Sequence, residues 1–217
     1  MQYQVDTPIL NHNQLQAQQN KDLLKQKKVF MINIMSAPGA GKTTLLEKSI
    51  DLLKNNLKLA VIEGDLATAL DAERIAKKGV PVIQINTNGG CHLDARMIGE
   101  KLELFDLDDL DLVIVENVGN LVCPAEFDLG EDLRIVVLST AEGNDKVTKY
   151  PVIFRQSHVL LVNKIDLIPF TDFTLERLYQ DSQLVNKDLL VMEASARTGQ
   201  GIKEWCEWLE KASRSKE

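Results

Sequence analysis

With 217 residues, 44% of them hydrophobic, the chain is long enough to bury the core of one α/β domain and short for two independent ones. Lys and Arg number 25 against 32 Asp and Glu, and the net charge of -7 repels a phosphate backbone, which argues against nucleic-acid binding. No segment approaches the ~18 consecutive apolar residues of a membrane span, no basic-then-apolar leader opens the chain, and three cysteines are too few for a disulfide framework, so a cytoplasmic, reduced protein without membrane attachment is expected.

Residues 1–28 read as an N-terminal extension. It is rich in Gln, Asn and Lys, with Leu10, Leu15, Leu23 and Leu24 loosely spaced, a pattern open to two readings, a polar amphipathic helix or a flexible segment. The run VFMINIM at 29–35 has the near-continuous apolar character of a strand buried on both faces. Similar runs follow at 59–63 (LAVIE), 81–85 (PVIQI), 112–116 (LVIVE), 134–139 (RIVVLS), 158–163 (HVLLVN) and 189–193 (LLVME). Between them TTLLEKSIDLLK, LDARMIGEKLELF, TDFTLERLYQ and IKEWCEWLE carry apolar residues at helical spacing. Residues 29–217 are therefore expected to form one doubly wound α/β domain on a mostly parallel sheet of about seven strands, with ligands at the C-terminal strand ends.

SAPGAGKTT, residues 36–44, joins the first strand to a helix as a phosphate-binding loop does. Gly39, Ala40 and Gly41 let backbone N–H groups converge on phosphate oxygens, Lys42 neutralises the β- and γ-phosphates, and Thr43, followed by Thr44, supplies a hydroxyl to Mg²⁺. Ser36 stands where the usual pattern begins with Gly. NKID, residues 163–166, ends a later strand, and a carboxylate accepts two hydrogen bonds from guanine but meets no matching donor pair on adenine, so Asp166 favours GTP over ATP. Asn163 is expected at the opposite base edge, Lys164 over the ring face, and Ser195 and Ala196 of SART near the guanine carbonyl. Glu116 of ENVGN takes the place of a magnesium-binding acid, and Gly119 leaves room for the γ-phosphate. Asp65 of EGDLATALD is open to two readings, a group for magnesium or water and a helix N-cap. Neither Asn117 nor Asn120 supplies a base, so slow hydrolysis is expected.

Cys91 and His92 in NTNGGCHLDA and Cys123 in ENVGNLVCP follow strands close to this site. Thiolates and imidazole suit Ni²⁺ or Zn²⁺, but buried structural cysteines explain the spacing too, and three ligands would need help from a second copy of the chain. Cys206 reads as a packing residue.

NTNGGCHLDA, ENVGNLVCP, STAEGNDKVTKYP and NKIDL, beside SAPGAGKTT, resemble the hydrogenase maturation GTPase family HypB over nearly the whole chain. That resemblance implies a nickel or zinc site at Cys91, His92 and Cys123, a GTP-promoted homodimer, slow GTP hydrolysis to GDP, and work with the metallochaperone HypA on a hydrogenase large-subunit precursor; Lys146 and Lys149 are open to two readings, parts of the dimer interface and solvated surface charges. The Cys-rich or His-rich N-terminal nickel motifs of some members are absent, as is the Cys-Pro-His of the related urease accessory GTPases.

Overall fold

The computed structural model describes residues 9–65 and 70–215. Seven strands, β1 (Phe30–Ser36), β2 (Leu59–Asp65), β3 (Val82–Asn86), β4 (Leu112–Glu116), β5 (Leu133–Ser139), β6 (Val159–Asn163) and β7 (Leu190–Glu193), form one sheet in the order β3-β2-β4-β1-β5-β6-β7. Every pairing is parallel, which places all C-terminal strand ends on one rim. The chain interleaves them with helices α1 (Ile9–Lys27), α2 (Lys42–Leu53), α3 (Leu70–Ala76), α4 (Ala95–Leu102), α5 (Cys123–Glu126), α6 (Lys146–Lys149), α7 (Pro151–Arg155), α8 (Leu175–Val185) and α9 (Ile202–Arg214). The seven apolar runs and the four helical patterns fall on β1 to β7 and on α2, α4, α8 and α9, with boundaries moved by a few residues.

Alternation along β1 explains why a continuous apolar run is needed there. Phe30, Ile32 and Ile34 face α2 and α9, where they meet Leu45, Leu46, Ile50, Trp205 and Leu209. Met31 points to the opposite face beside Leu24 of α1 and Ile98 of α4, and Met35 to that face beside Phe154 of α7. Both sides of the sheet are therefore covered, and each fully buried aliphatic side chain contributes about 1.5–3 kcal/mol. Trp205 is fully buried, and its indole N–H donates to Ser49 Oγ at 3.1 Å. Cys206 packs beside it in the core, where burial pushes its thiol up to about 11.

The polar N-terminal segment is helical from Ile9 to Lys27 and lies against α4, whereas residues 1–8 fall outside the described ones. Of the leucines that suggested amphipathicity, Leu10 and Leu15 are exposed. The buried stripe is instead Asn13, Ala17, Asn20 and Leu24. Among the described residues no helix is long and apolar enough to cross a membrane.

Candidate nucleotide and metal site

The rim carries a cavity of about 470 Å³ lined by Gly39, Gly41, Lys42, Thr43, Glu63, Asp65, Asp71, Arg74, Glu116 and Gly119. Gly41 sits at φ 94°, and a Cβ there would lie 2.7 Å from the Asn163 amide nitrogen, so the loop needs glycine for both conformation and space. Ser36 at the loop's entry now has a role, because its hydroxyl accepts from Lys42 Nζ at 2.9 Å and donates to the Ala37 carbonyl at 2.6 Å. Burial lowers the Lys42 pKa, an effect that Glu116 opposes. Thr43 Oγ1 donates to Glu116 Oε1 at 2.7 Å, which unites the two groups expected at magnesium.

Glu116 does not act alone. β2 begins LAVIE and β4 reads LVIVE, and their register sets Glu63 opposite Glu116. With Asp71 of α3, the two bring carboxylate oxygens within 4.8 Å of one another. Glu63 Oε2 and Glu116 Oε2 are buried without a hydrogen-bond partner among the described residues. Hard oxygen donors left unpaired in a buried site fit a divalent cation such as magnesium. Asp65 lines the cavity but is not in this convergent set, and the N-cap alternative concerns residues 66–69, outside the described ones. Arg74 bonds Asp71 Oδ1 at 2.9 Å and Thr44 Oγ1 at 3.1 Å and pairs with Glu47, which fixes α3 against the phosphate loop. Sequence reasoning missed Glu63, Asp71 and Arg74. The signal for Glu63 was an acid closing a run too apolar to be exposed.

A second cavity, of about 270 Å³, shares Gly41, Thr44 and Lys164 with the first and adds Asn163, Asp166, Leu167, Ala196 and Arg197. Ser195 Oγ donates to Asp166 Oδ1 at 2.6 Å and so orients the carboxylate. Lys164, at φ 63°, reaches over the phosphate loop to the Gly39 carbonyl at 2.6 Å. The Asn163 amide is engaged within the protein: Nδ2 donates to the Ala40 carbonyl at 2.9 Å, and Oδ1 accepts from the N–H groups of Lys164 at 2.8 Å and Ala196 at 3.0 Å. The Ser195 N–H likewise donates to the Gln200 carbonyl at 2.9 Å. Asn163, Ser195 and Ala196 thus tie three loops together, and the Asp166 carboxylate lines the second cavity.

On the same rim, Cys91 Sγ and Cys123 Sγ approach to 2.7 Å, and Cys91 Sγ lies 3.5 Å from His92 Nδ1. Cys123 opens α5, and Asn120 Nδ2 donates to its sulfur at 3.4 Å. His92 stacks on Phe127 with ring centroids 3.8 Å apart. Sharing a hydrogen bond with Cys91 raises the Cys123 thiol pKa, and burial lowers that of His92.

One side chain joins the two sites. Asn117 Oδ1 accepts from Val118 N–H at 2.9 Å in the loop that follows β4 and from Leu93 N–H at 3.2 Å beside Cys91 and His92. Its Nδ2 donates to Asn33 Oδ1 at 3.2 Å, Asn33 donates to Glu131 Oε1 at 3.4 Å, and Glu131 Oε2 accepts from Leu129 N–H at 2.7 Å.

Residues 30–193 match the family described as CobW/HypB/UreG, nucleotide-binding domain. Over 208 residues the chain is 47% identical to the hydrogenase maturation factor HypB of Azotobacter chroococcum mcd 1, covering 96% of this chain and 68% of that relative. The chain belongs to the HypB family. HypB from Helicobacter pylori, solved in complex with nickel, superposes with a TM-score of 0.90 at 36% identity, covering 94% of this chain and 96% of that one. HypB from Archaeoglobus fulgidus gives 0.87 at 37% identity, covering 94% and 99%.

The paired acids of this HypB-family chain have a measurable consequence. Burial, reinforced by Glu116, raises the Glu63 pKa from 4.5 to about 8, and burial raises that of Glu116 to about 7 against the pull of Lys42. The native state then binds more protons than the unfolded chain between these values and the ordinary 4.5, so stability is full at low pH and is lost as pH rises through the folded pKa values. Glu131 and Glu142, raised by burial, act in the same direction. In chelator, Tm is expected to fall by roughly 5–10 °C from pH 5 to pH 8.5. Glu63→Gln flattens that slope, and a slope unchanged in Glu63→Gln refutes the assignment.

Proposed function

We propose that this chain is a slow GTPase whose nucleotide cycle controls the loading and release of nickel during maturation of a nickel-containing hydrogenase. Lys42 meets the β- and γ-phosphates, the phosphate-loop amides around Gly39, Ala40, Gly41 and Thr44 cradle them, and Asp166 reads guanine. Thr43 and Glu116, with Glu63 and Asp71, hold magnesium, which when bound supplies positive charge to the departing phosphate. Asp65 orients the attacking water. Asn117 and Asn120 are neutral amides held by protein contacts, which supports slow turnover. Cys91, His92 and Cys123 take nickel as cargo, or zinc in its place, and a second copy across a twofold axis completes the coordination. Work in the cytoplasm with the metallochaperone HypA and a hydrogenase large-subunit precursor is part of the same proposal, and membership of the family supports it.

The observation that carries this reading is the Asn117 oxygen shared by the phosphate-sensing loop and the Cys91–His92 loop. A γ-phosphate that draws Val118 and Gly119 inward changes the restraint on Leu93, giving the two nucleotide states different nickel affinities. Nickel titration and size-exclusion chromatography in GDP and in a non-hydrolysable GTP analogue test it. A dimer in the analogue and a nickel affinity that differs by about 5–150-fold between states are expected. Equal affinities with an unchanged oligomeric state overturn the coupling.

A further inference from the structure

Helix α1 has an unusual buried face. Asn13 and Asn20, 7% and 2% exposed, occupy positions where apolar residues would bury as well and favour a helix more. A buried amide is costly unless its donors and acceptor are met, and here they are met by two particular stretches of chain.

The first stretch leaves the Cys91–His92 loop. Ala95 N–H donates to Asn13 Oδ1 at 2.8 Å, and the Ala95 carbonyl accepts from Asn20 Nδ2 at 2.7 Å. The second leaves Cys123. Asn13 Nδ2 donates to the Asp128 carbonyl at 2.7 Å, and Asn20 Nδ2 to the Leu129 carbonyl at 3.0 Å. Each asparagine therefore bridges both stretches. Gln16 Nε2 donates to Asn20 Oδ1 at 3.1 Å and locks its orientation.

The seat of the helix is independently shaped for it. A Cβ on Gly99 of α4 would lie 2.7 Å from Asn20 Oδ1, and one on Gly130, at φ 89°, would lie 2.9 Å from Asn20 Cβ and collide with the Ala17 carbonyl. One of these glycines stands beyond each cysteine loop. From the interior, Leu129 N–H is bonded to Glu131 and Leu93 N–H to Asn117, so the network through Asn33 closes a ring around the two stretches.

We propose that α1 is a brace for the thiol–imidazole site, in which Asn13 and Asn20 are positioning residues that set the spacing of the Cys91–His92 loop from Cys123 for nickel. The proposal rests on the reading of that site as a nickel site. Outer contacts that orient ligands are worth about 10–100-fold in metal affinity, so a helix bonded to the stretches that follow Cys91–His92 and Cys123 has leverage on the site. The extension then belongs to the cargo site as much as to the fold.

The test compares wild type, the double variant Asn13→Leu with Asn20→Leu, and Cys123→Ser, using nickel alone as probe. Nickel affinity is read by competition with a chromophoric chelator, the thiolate-to-nickel charge-transfer band by near-ultraviolet absorption, and GDP affinity by titration. The double variant is expected to lose about 10–100-fold in nickel affinity with a weakened or shifted band, while GDP affinity holds within about twofold. Wild-type nickel affinity and band in the double variant, with binding lost in Cys123→Ser, overturn the brace alone. Nickel binding undiminished in Cys123→Ser overturns the site, and the brace with it. Parallel loss of nickel and GDP binding assigns the asparagines to general stability and also overturns it. Should the double variant fail to fold, hydrogen exchange on the wild type decides: nickel must slow exchange at Ala95 N–H and along α1, and no change there overturns the proposal.

Discussion

Asp166→Asn is expected to weaken GTP and GDP binding by roughly a hundred- to ten-thousandfold, the loss of two hydrogen bonds from guanine to a charged acceptor. The effect is a swap rather than a simple deletion. The asparagine amide can turn a donor toward the base, where guanine offers N1–H and an amine and so repels it. A xanthine nucleotide carries a carbonyl in place of that amine, and it should recover much of the lost affinity. Ser195, whose hydroxyl now donates to Asp166, can donate equally to the asparagine oxygen, which keeps the loop in place. Titration with fluorescent guanine, xanthine and adenine nucleotides reads all three outcomes. Undiminished GTP binding in the variant would remove Asp166 from base recognition, and a wild-type preference for ATP would dismiss guanine altogether.

The second large effect concerns the cargo. On the proposed reading Cys91→Ala and Cys123→Ala each remove a ligand, not a support, and the fall in nickel affinity should exceed the roughly 10–100-fold of outer-shell changes. The thiols lie 2.7 Å apart, so either loss dismantles the pair. GDP affinity should stay within about twofold, because neither cysteine lines the phosphate or base cavity. Equilibrium dialysis against nickel with metal analysis, run beside nucleotide titration, separates the two. Full nickel occupancy in both single variants would return these residues to the reading of structural cysteines.

The parts of the molecule legible in the sequence share one property: their signal is local. A strand buried on both faces must be apolar along its length, and LVIVE predicts its strand, Leu112–Glu116, to the residue. SAPGAGKTT and NKID are contiguous, and their functional context is only the strand before each. What escaped depends on residues meeting across the fold. Glu63 acquires meaning through its register partner Glu116, and Asp71 and Arg74 through the approach of α3 to the phosphate loop. Ser36 departs from the motif, yet its hydroxyl holds Lys42, a relation that spacing alone does not reveal. The helical alternative for the N-terminal segment holds from Ile9 to Lys27 and Leu24 is buried, but leucine spacing did not reveal Asn13 and Asn20 in the buried stripe, and Leu10 and Leu15 face solvent.

An amide oxygen has two lone pairs, and in Asn117 both are occupied, by Val118 and by Leu93. The thiol–imidazole cluster is consequently not portable. Copying Cys91, His92 and Cys123 onto another phosphate-loop scaffold would bring the ligands without the residue that makes one loop's position depend on the other's. Even Asp at this position would fail as a graft, since it keeps the shared oxygen but gives up the N–H that reaches Asn33. Whoever rebuilds the device must move Asn117, Asn33 and Glu131 as a set.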